Sequence, residues 1–252
     1  MKSAPFTAII PARLASTRLP EKVLLPIAGK PMIRHVYERA CESGAERVIV
    51  AVDDQRIADA VAGAETCRTS VSHRSGTERI AEVIERLGLD SGAIIVNVQA
   101  DEPLLPPSLI RQVATNLAER PSADVATLCE PIASADAVFD PNLVKVVRDR
   151  ADYALYFSRA PIPWNRARFP HRDEWRPGEH FRHLGLYSYR AGYVQSYVRL
   201  PPFDLETIES LEQLRVLAHG GRIHVDVAEA APGPGIDTEA DLDQVRALAG
   251  GP

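Results

Sequence analysis

Three short runs constrain this chain more than anything else in it. Residues 6–10 (FTAII), 47–52 (RVIVAV) and 93–98 (AIIVNV) are β-branched and almost continuously apolar. A strand covered on one face alternates apolar with polar residues. A run that does not alternate suits a strand buried on both faces of a parallel sheet. Between the runs the period changes. Ile33, Val36, Tyr37, Ala40 and Cys41 fall at i, i+3, i+4, i+7 and i+8, with Pro31 before them and Gly44 after. That is an amphipathic helix with its usual start and stop residues. Ile80, Val83, Ile84 and Leu87 repeat the spacing, as do Ile110, Val113, Ala114 and Leu117. Such alternation makes βαβ units, and so a mostly parallel sheet with helices on both faces.

The second half is less regular. Strands are expected over residues 125–129, 144–147, 183–189 and 222–227, and helices over 205–218 and 239–249. Residues 158–181 are rich in Pro, Arg and aromatics and show no clear period. They read as an excursion from the main sheet, either a lid or an oligomer contact. No linker, repeat or low-complexity stretch divides the 252 residues, so a single α/β domain is expected.

Charge and cysteines narrow the partners. The 34 acidic residues outnumber 29 basic ones, for a net charge of -5, which argues against a nucleic-acid partner and its need for a basic face. No apolar run approaches the ~20 residues of a membrane span. The run at 6–10 is also too short for a signal-peptide core. Cys41, Cys67 and Cys129 form no C-x-x-C pair and read as reduced thiols of a cytoplasmic protein. Of the basic residues only Lys2, Lys22, Lys30 and Lys145 are lysines.

Lys22 lies where the chain looks least like scaffold. Residues 11–30 (PARLASTRLPEKVLLPIAGK) follow the first strand with little periodicity. Loops of that length are uncommon in compact domains and are usually functional. The carboxyl end of a parallel strand is also where ligands bind in open sheets. Arg13, Arg18 and Lys22 are interleaved with Ser16 and Thr17. The combination suits a polyphosphate, with forked donors from Arg and a compact charge from Lys. Neither G-x-x-x-x-G-K-[ST] nor G-x-G-x-x-G occurs, so P-loop and dinucleotide-binding chemistry are not expected.

Carboxylates fall at the same edge. The third run continues into Gln99-Ala100-Asp101-Glu102-Pro103, where the proline stops strand pairing. Asp237, in Pro234-Gly235-Ile236-Asp237-Thr238, also precedes a helix, and Gly235 would permit close backbone approach there. Two such carboxylates can share Mg²⁺. They can equally be a helix cap (Asp237) and a turn residue (Asp101). Asp241-x-Asp243 reads as an exposed helix face. His171-Arg172-Asp173 lacks the asparagine of a kinase catalytic loop.

The segments IIPARLASTRLPEKVL, HRSGTER, NVQADEP, YALYFSRAPIPW, FRHLGLYSYR, ESLEQLRVL and PGPGIDTEADL resemble the 3-deoxy-manno-octulosonate cytidylyltransferase family. The resemblance runs over nearly the whole chain. It implies one Rossmann-like nucleotidyltransferase domain over residues 1–252. It also implies CTP-dependent activation of 3-deoxy-manno-octulosonate (Kdo), an acidic sugar of Gram-negative lipopolysaccharide, with Mg²⁺ as cofactor and a homodimeric state. On that resemblance Arg13, Arg18 and Lys22 hold the CTP phosphates, and Ser75 and Gly76 sit against the cytidine. Asp101 and Asp237 hold Mg²⁺, and Lys22, Arg13 and Asp101 act in catalysis. Gln99, Arg159, His183, Tyr187, Glu212 and Gln213 line the Kdo pocket, with Arg159 facing the sugar carboxylate and His183 orienting. Tyr187 and Glu212 have plain alternatives, as a core aromatic and an exposed helix residue. Ala100 stands where the family usually has Gly, a benign change unless a positive φ is needed. Arg74 falls at a variable position and receives no role. Two alternatives stay open: CTP-dependent activation of sialic acid or 8-amino Kdo, and a catalytically inactive nucleotide-binding relative.

Overall fold

The three apolar runs lie together inside one nine-stranded sheet. The structure, a computed structural model, describes residues 4–169 and 175–250. His171-Arg172-Asp173 and the middle of the 158–181 excursion lie outside these. The strands are β1 (Thr7–Ala12), β2 (Pro26–Ile27), β3 (Lys30–Pro31), β4 (Arg47–Val52), β5 (Glu65–Arg68), β6 (Ile94–Asn97), β7 (Val125–Pro131), β8 (Lys145–Arg148), β9 (Ala154–Ser158), β10 (Phe181–Arg190) and β11 (Ile223–Val227). The helices are α1 (Met32–Glu42), α2 (Gln55–Ala60), α3 (Gly76–Leu87), α4 (Pro107–Glu119), α5 (Ala135–Phe139), α6 (Ala191–Tyr197), α7 (Asp204–Glu209), α8 (Gln213–Ala218) and α9 (Glu239–Leu248).

The main sheet runs β11-β7-β10-β6-β1-β4-β5, with β8 joined to β10 and β9 to β8. Pairing is parallel from β6 through β1 and β4 to β5, and between β7 and β11. β10 enters antiparallel between β6 and β7. The central strands explain their own sequences. Ala8, Ile10 and Ala12 of β1 join one core while Ile9 joins the other, and Val50 and Ile49 of β4 divide in the same way. Both faces are covered, so neither tolerates a polar residue. The first core takes Ile33, Val36 and Ala40 of α1 with Leu109 and Val113 of α4. The second takes Ile80 and Ile84 of α3, Val194 of α6 and Leu214 of α8.

Two expectations change. The helix expected over 205–218 is two helices, because Ser210 turns into the left-handed region (φ 52) and ends α7. The loop of residues 11–30 is not bare: it holds a 3₁₀ turn at Lys22–Leu24 and the β2–β3 hairpin. A third apolar cluster pins it, with Leu19, Ile27 and Met32 packing on Ile236, Leu242 and Val245. That cluster carries α9, and the segment leading into it, to the mouth of the loop.

Candidate active site

The carboxyl ends of β1 and β6 open onto a cavity of about 330 Å³. Arg13, Arg18 and Lys22 line it from the loop, Ser75 and Gly76 from the start of α3, and Gln99, Asp101, Glu212 and Asp237 from elsewhere. Each position has a local cause. Ser75 caps α3 by accepting from the Glu78 amide at 3.2 Å. Gly76 lets the helix start close to β1, since a Cβ there would lie 3.2 Å from Pro11 Cγ. Gly235 is different. A Cβ there would make only ordinary contacts at 3.8 Å, and the close approach belongs to Gly233, whose Cβ would lie 2.6 Å from that of Leu104.

Lys22 is the centre of the cavity's charge. Its Nζ donates to Asp101 Oδ2 at 2.7 Å, to Asp237 Oδ1 at 3.1 Å and to the Ile236 carbonyl at 2.7 Å. Arg18 pairs with the same Asp237 oxygen at 2.8 Å. Asp237 is therefore not the cap of α9. Thr238 takes that position, and Asp241 completes its capping box. Glu102, next to Asp101, lines an adjoining cavity with Leu105, Leu109 and Arg182, one that shares Asp101 and Asp237 with the first. Burial, and then the Asp101 charge, push its carboxyl up to about 7.

A second cavity of about 230 Å³ shares Gly76, Gln99 and Glu212 with the first. Tyr187 and Gln213 line it, together with Thr77, Asn97, Tyr189 and Tyr197. Glu212 accepts from the Thr77 hydroxyl at 3.2 Å. Desolvation within the cleft raises its pKa, and the Thr77 bond opposes the shift. Tyr187 is pushed well above the ordinary phenol range, first by burial.

Two residues lie outside both cavities. The Arg159 guanidinium donates to the Glu209 carbonyl at 2.7 Å and to the Pro141 carbonyl at 2.9 Å. His183 packs edge-on to Phe157 and beside Tyr187, with Nε2 3.1 Å from Thr127 Oγ1. The Thr127 hydroxyl has a single hydrogen and lies 3.0 and 2.8 Å from the Leu184 and Leu186 carbonyls. It spends that hydrogen on them, so His183 Nε2 is the donor of its pair. Burial, and then Arg182, push the imidazole down to about 3, so it is neutral and a weak base.

Sequence reasoning missed a buried pair that holds the loop. Arg79 Nη2 donates to Asp53 Oδ2 at 3.0 Å, and Asp53 Oδ1 accepts from the Leu14 amide at 2.9 Å. A signal existed, since Asp53 ends β4 at the ligand edge and Arg79 closes the HRSGTER segment. Lys145 was also missed. It is fully buried, and its Nζ caps the Asp140 and Leu143 carbonyls at 2.8 and 2.5 Å.

A profile of the cytidylyltransferase family matches residues 7–223. The chain is 60% identical over 245 residues to a 3-deoxy-manno-octulosonate cytidylyltransferase of Yersinia enterocolitica, covering 96% of this chain and 98% of that one. It is 59% identical, with the same coverage, to the protein of that name from Yersinia pestis. The chain belongs to the 3-deoxy-manno-octulosonate cytidylyltransferase family. A solved CMP:2-keto-3-deoxy-manno-octonic acid synthetase, complexed with CTP, superposes with a TM-score of 0.88 at 42% identity, covering 97% and 98% of the two chains. A nucleotidyl transferase from Methanothermobacter thermautotroptrophicus, at 15% identity and a TM-score of 0.59 over 97% of both chains, shares the fold alone. Of the residues the family resemblance assigns, those for nucleotide and metal all line the first cavity. Four of the six for the sugar line the second, and Arg159 and His183 stand outside it.

Proposed function

We propose that the protein transfers CMP from CTP to Kdo, releasing diphosphate and supplying an activated sugar for lipopolysaccharide synthesis. One observation carries the reading: a cation-lined cavity and a tyrosine-lined polar cavity meet at Gly76, Gln99 and Glu212. A nucleotide in the first would present its α-phosphate to a sugar in the second. The family relationship supplies the identity of the two substrates.

Arg13, Arg18 and Lys22 would bind the triphosphate. Lys22 and Arg18 are held by Asp237 and Lys22 also by Asp101, so the incoming phosphates compete with built-in counter-ions for these cations. The anomeric 2-hydroxyl of the sugar attacks the α-phosphorus. A sugar O–P bond forms, the bond to the β-phosphate oxygen breaks, and diphosphate leaves, taking up the proton that the hydroxyl loses. The cations stabilise charge that grows on the phosphoryl oxygens and the leaving group. Ser75 and Gly76 would present backbone groups to the base. Gln99, Tyr187, Glu212 and Gln213 would orient the sugar, with Arg159 reaching its carboxylate. His183, neutral and with Nε2 donating to Thr127, would position the neighbouring Tyr187 ring rather than accept a proton.

Asp101 and Asp237 would hold Mg²⁺, and the donor set fits. Both carboxylates converge on one ammonium nitrogen, and among the described residues no three His, Cys, Asp or Glu side chains gather into a protein-only metal site. Phosphate oxygens and water complete such a shell, the usual arrangement for Mg²⁺. When bound, the ion neutralises phosphate charge and polarises the phosphoryl group.

A homodimer is supported by apolar surface. Leu155 on the edge strand β9, Trp164 and Ile208 are 61%, 60% and 74% exposed, apolar side chains that a second copy of the chain would cover. A cytoplasmic location is supported by three free cysteines, and no described helix is long and apolar enough to cross a membrane. Diphosphate release from CTP, with and without Mg²⁺, across Kdo, 8-amino Kdo and sialic acid tests the function. Release with Kdo far above the others is expected. No release with any acidic sugar would leave an inactive nucleotide-binding protein.

A further inference from the structure

Asn97 closes β6 on the wall of the second cavity and is 6% exposed. Its Oδ1 is buried without a hydrogen-bond partner among the described residues. On the same wall Thr77 Oγ1 reaches Glu212 Oε2 at 3.2 Å. A carboxylate only accepts, so Thr77 donates to Glu212. Asn97 Oδ1 is left as an unmet acceptor.

We propose that Asn97 Oδ1 is a specificity determinant that accepts a hydrogen bond from one hydroxyl of the acidic sugar. The inference rests on the proposed reaction and deepens it. An unmet carbonyl carries the full cost of its lost hydration unless a donor arrives. The substrate supplies that donor. A carboxylate cannot, so the sugar binds with a hydroxyl on the Asn97 wall and its carboxylate elsewhere. Because Oδ1 is closed to water in the empty cleft, the flanking side chains yield as the sugar enters. A cavity built this way penalises an analogue lacking the hydroxyl, because its acceptor is then left unmet.

The test is a cycle of enzyme and substrate changes. kcat/KM is measured for wild type and Asn97→Leu with Kdo and its monodeoxy derivatives, together with KM for CTP. For wild type, one derivative is expected to lose about 10- to 100-fold, the cost of one buried acceptor left unmet. Asn97→Leu should lose a similar factor on Kdo, keep the CTP KM, and no longer distinguish Kdo from that derivative. A variant that keeps the wild-type penalty for every derivative overturns the proposal, as does a parallel rise in KM for both substrates. If Asn97→Leu fails to fold, Asn97→Ser enters the same cycle and is judged by the same two outcomes. If wild type prefers another acidic sugar, the proposed substrate fails, and the cycle on that sugar's deoxy derivatives decides Asn97 separately.

Discussion

The two walls of the cleft are built on opposite principles. The nucleotide wall is charge carried on a loop: the Arg18 side chain is 65% exposed and shares Asp237 with Lys22. The sugar wall is polar groups set in burial, with Asn97, Tyr189 and Gln213 each less than a tenth exposed. Exposed ion pairs are weak and easily exchanged. Buried polar groups are costly when unmet and tolerate only a matching partner. On the proposed reading the first wall would hold the triphosphate by exchangeable charge, while the second would read shape and hydrogen-bond sense. Selectivity for the sugar would then belong to the wall with little charge.

The contrast has one breach, which carries the largest expected effect. Beneath the exposed cations, Asp53 and Arg79 form a pair with side chains 8% and 4% exposed. Removing one partner of such a pair leaves a buried charge and costs about 3–5 kcal/mol. Arg79→Met is expected to lose that much in urea unfolding. It should also raise KM for CTP, because Asp53 holds the Leu14 amide of the loop. A loss below about 1 kcal/mol would place the pair among ordinary surface bridges and leave the loop anchored by its apolar cluster alone.

Next comes the charge itself. Lys22→Ala and Asp101→Asn are each expected to cost about 100-fold in kcat, or ~2.7 kcal/mol of transition-state stabilisation. Thermal unfolding should move little, because the ion pairs these residues make are partly solvated. Near-normal kcat in either variant would remove that residue from the mechanism. A collapse in stability with unchanged kcat would mean the wall is a fold element.

The walls also differ in how well the sequence displays them. Arg13, Arg18, Lys22 and Asp101 follow strands whose unbroken apolar runs announce a two-faced parallel sheet, and the ligand edge of such a sheet is known before any neighbour is. Asp237 needed only a helix start to place it. The sugar wall joins β6, β10 and α8, and it exists because β10 enters antiparallel between β6 and β7. Hydrophobic period tells which face a residue takes, not which strand lies beside it. So Tyr187 and Gln213 were reached through family resemblance, while Asn97 and Tyr189, buried on the same wall, were not reached at all. Ser210 split a helix for a related reason: its left-handed turn lets Leu211 and Leu214 reach the core, a tertiary demand that local propensity does not reveal.

The smallest effect is expected where the walls join. Ala100 lies between Gln99, which both cavities share, and Asp101, which belongs to the cation side. Four non-glycine residues take a positive φ among those described, namely Glu21, Ala28, Asp152 and Ser210, and Ala100 is not one of them. Its backbone stores no strain that glycine would relieve. Ala100→Gly instead widens the unfolded ensemble and should destabilise by about 0.4–1 kcal/mol, with kcat and both KM values within about twofold, because Ala100 offers the first cavity only a methyl group. Urea unfolding and steady-state kinetics on the same preparation check both halves. A gain in stability would reveal strain at the joint. A higher kcat without it would mean that the two walls move relative to each other during turnover, and that the stiffer residue slows them.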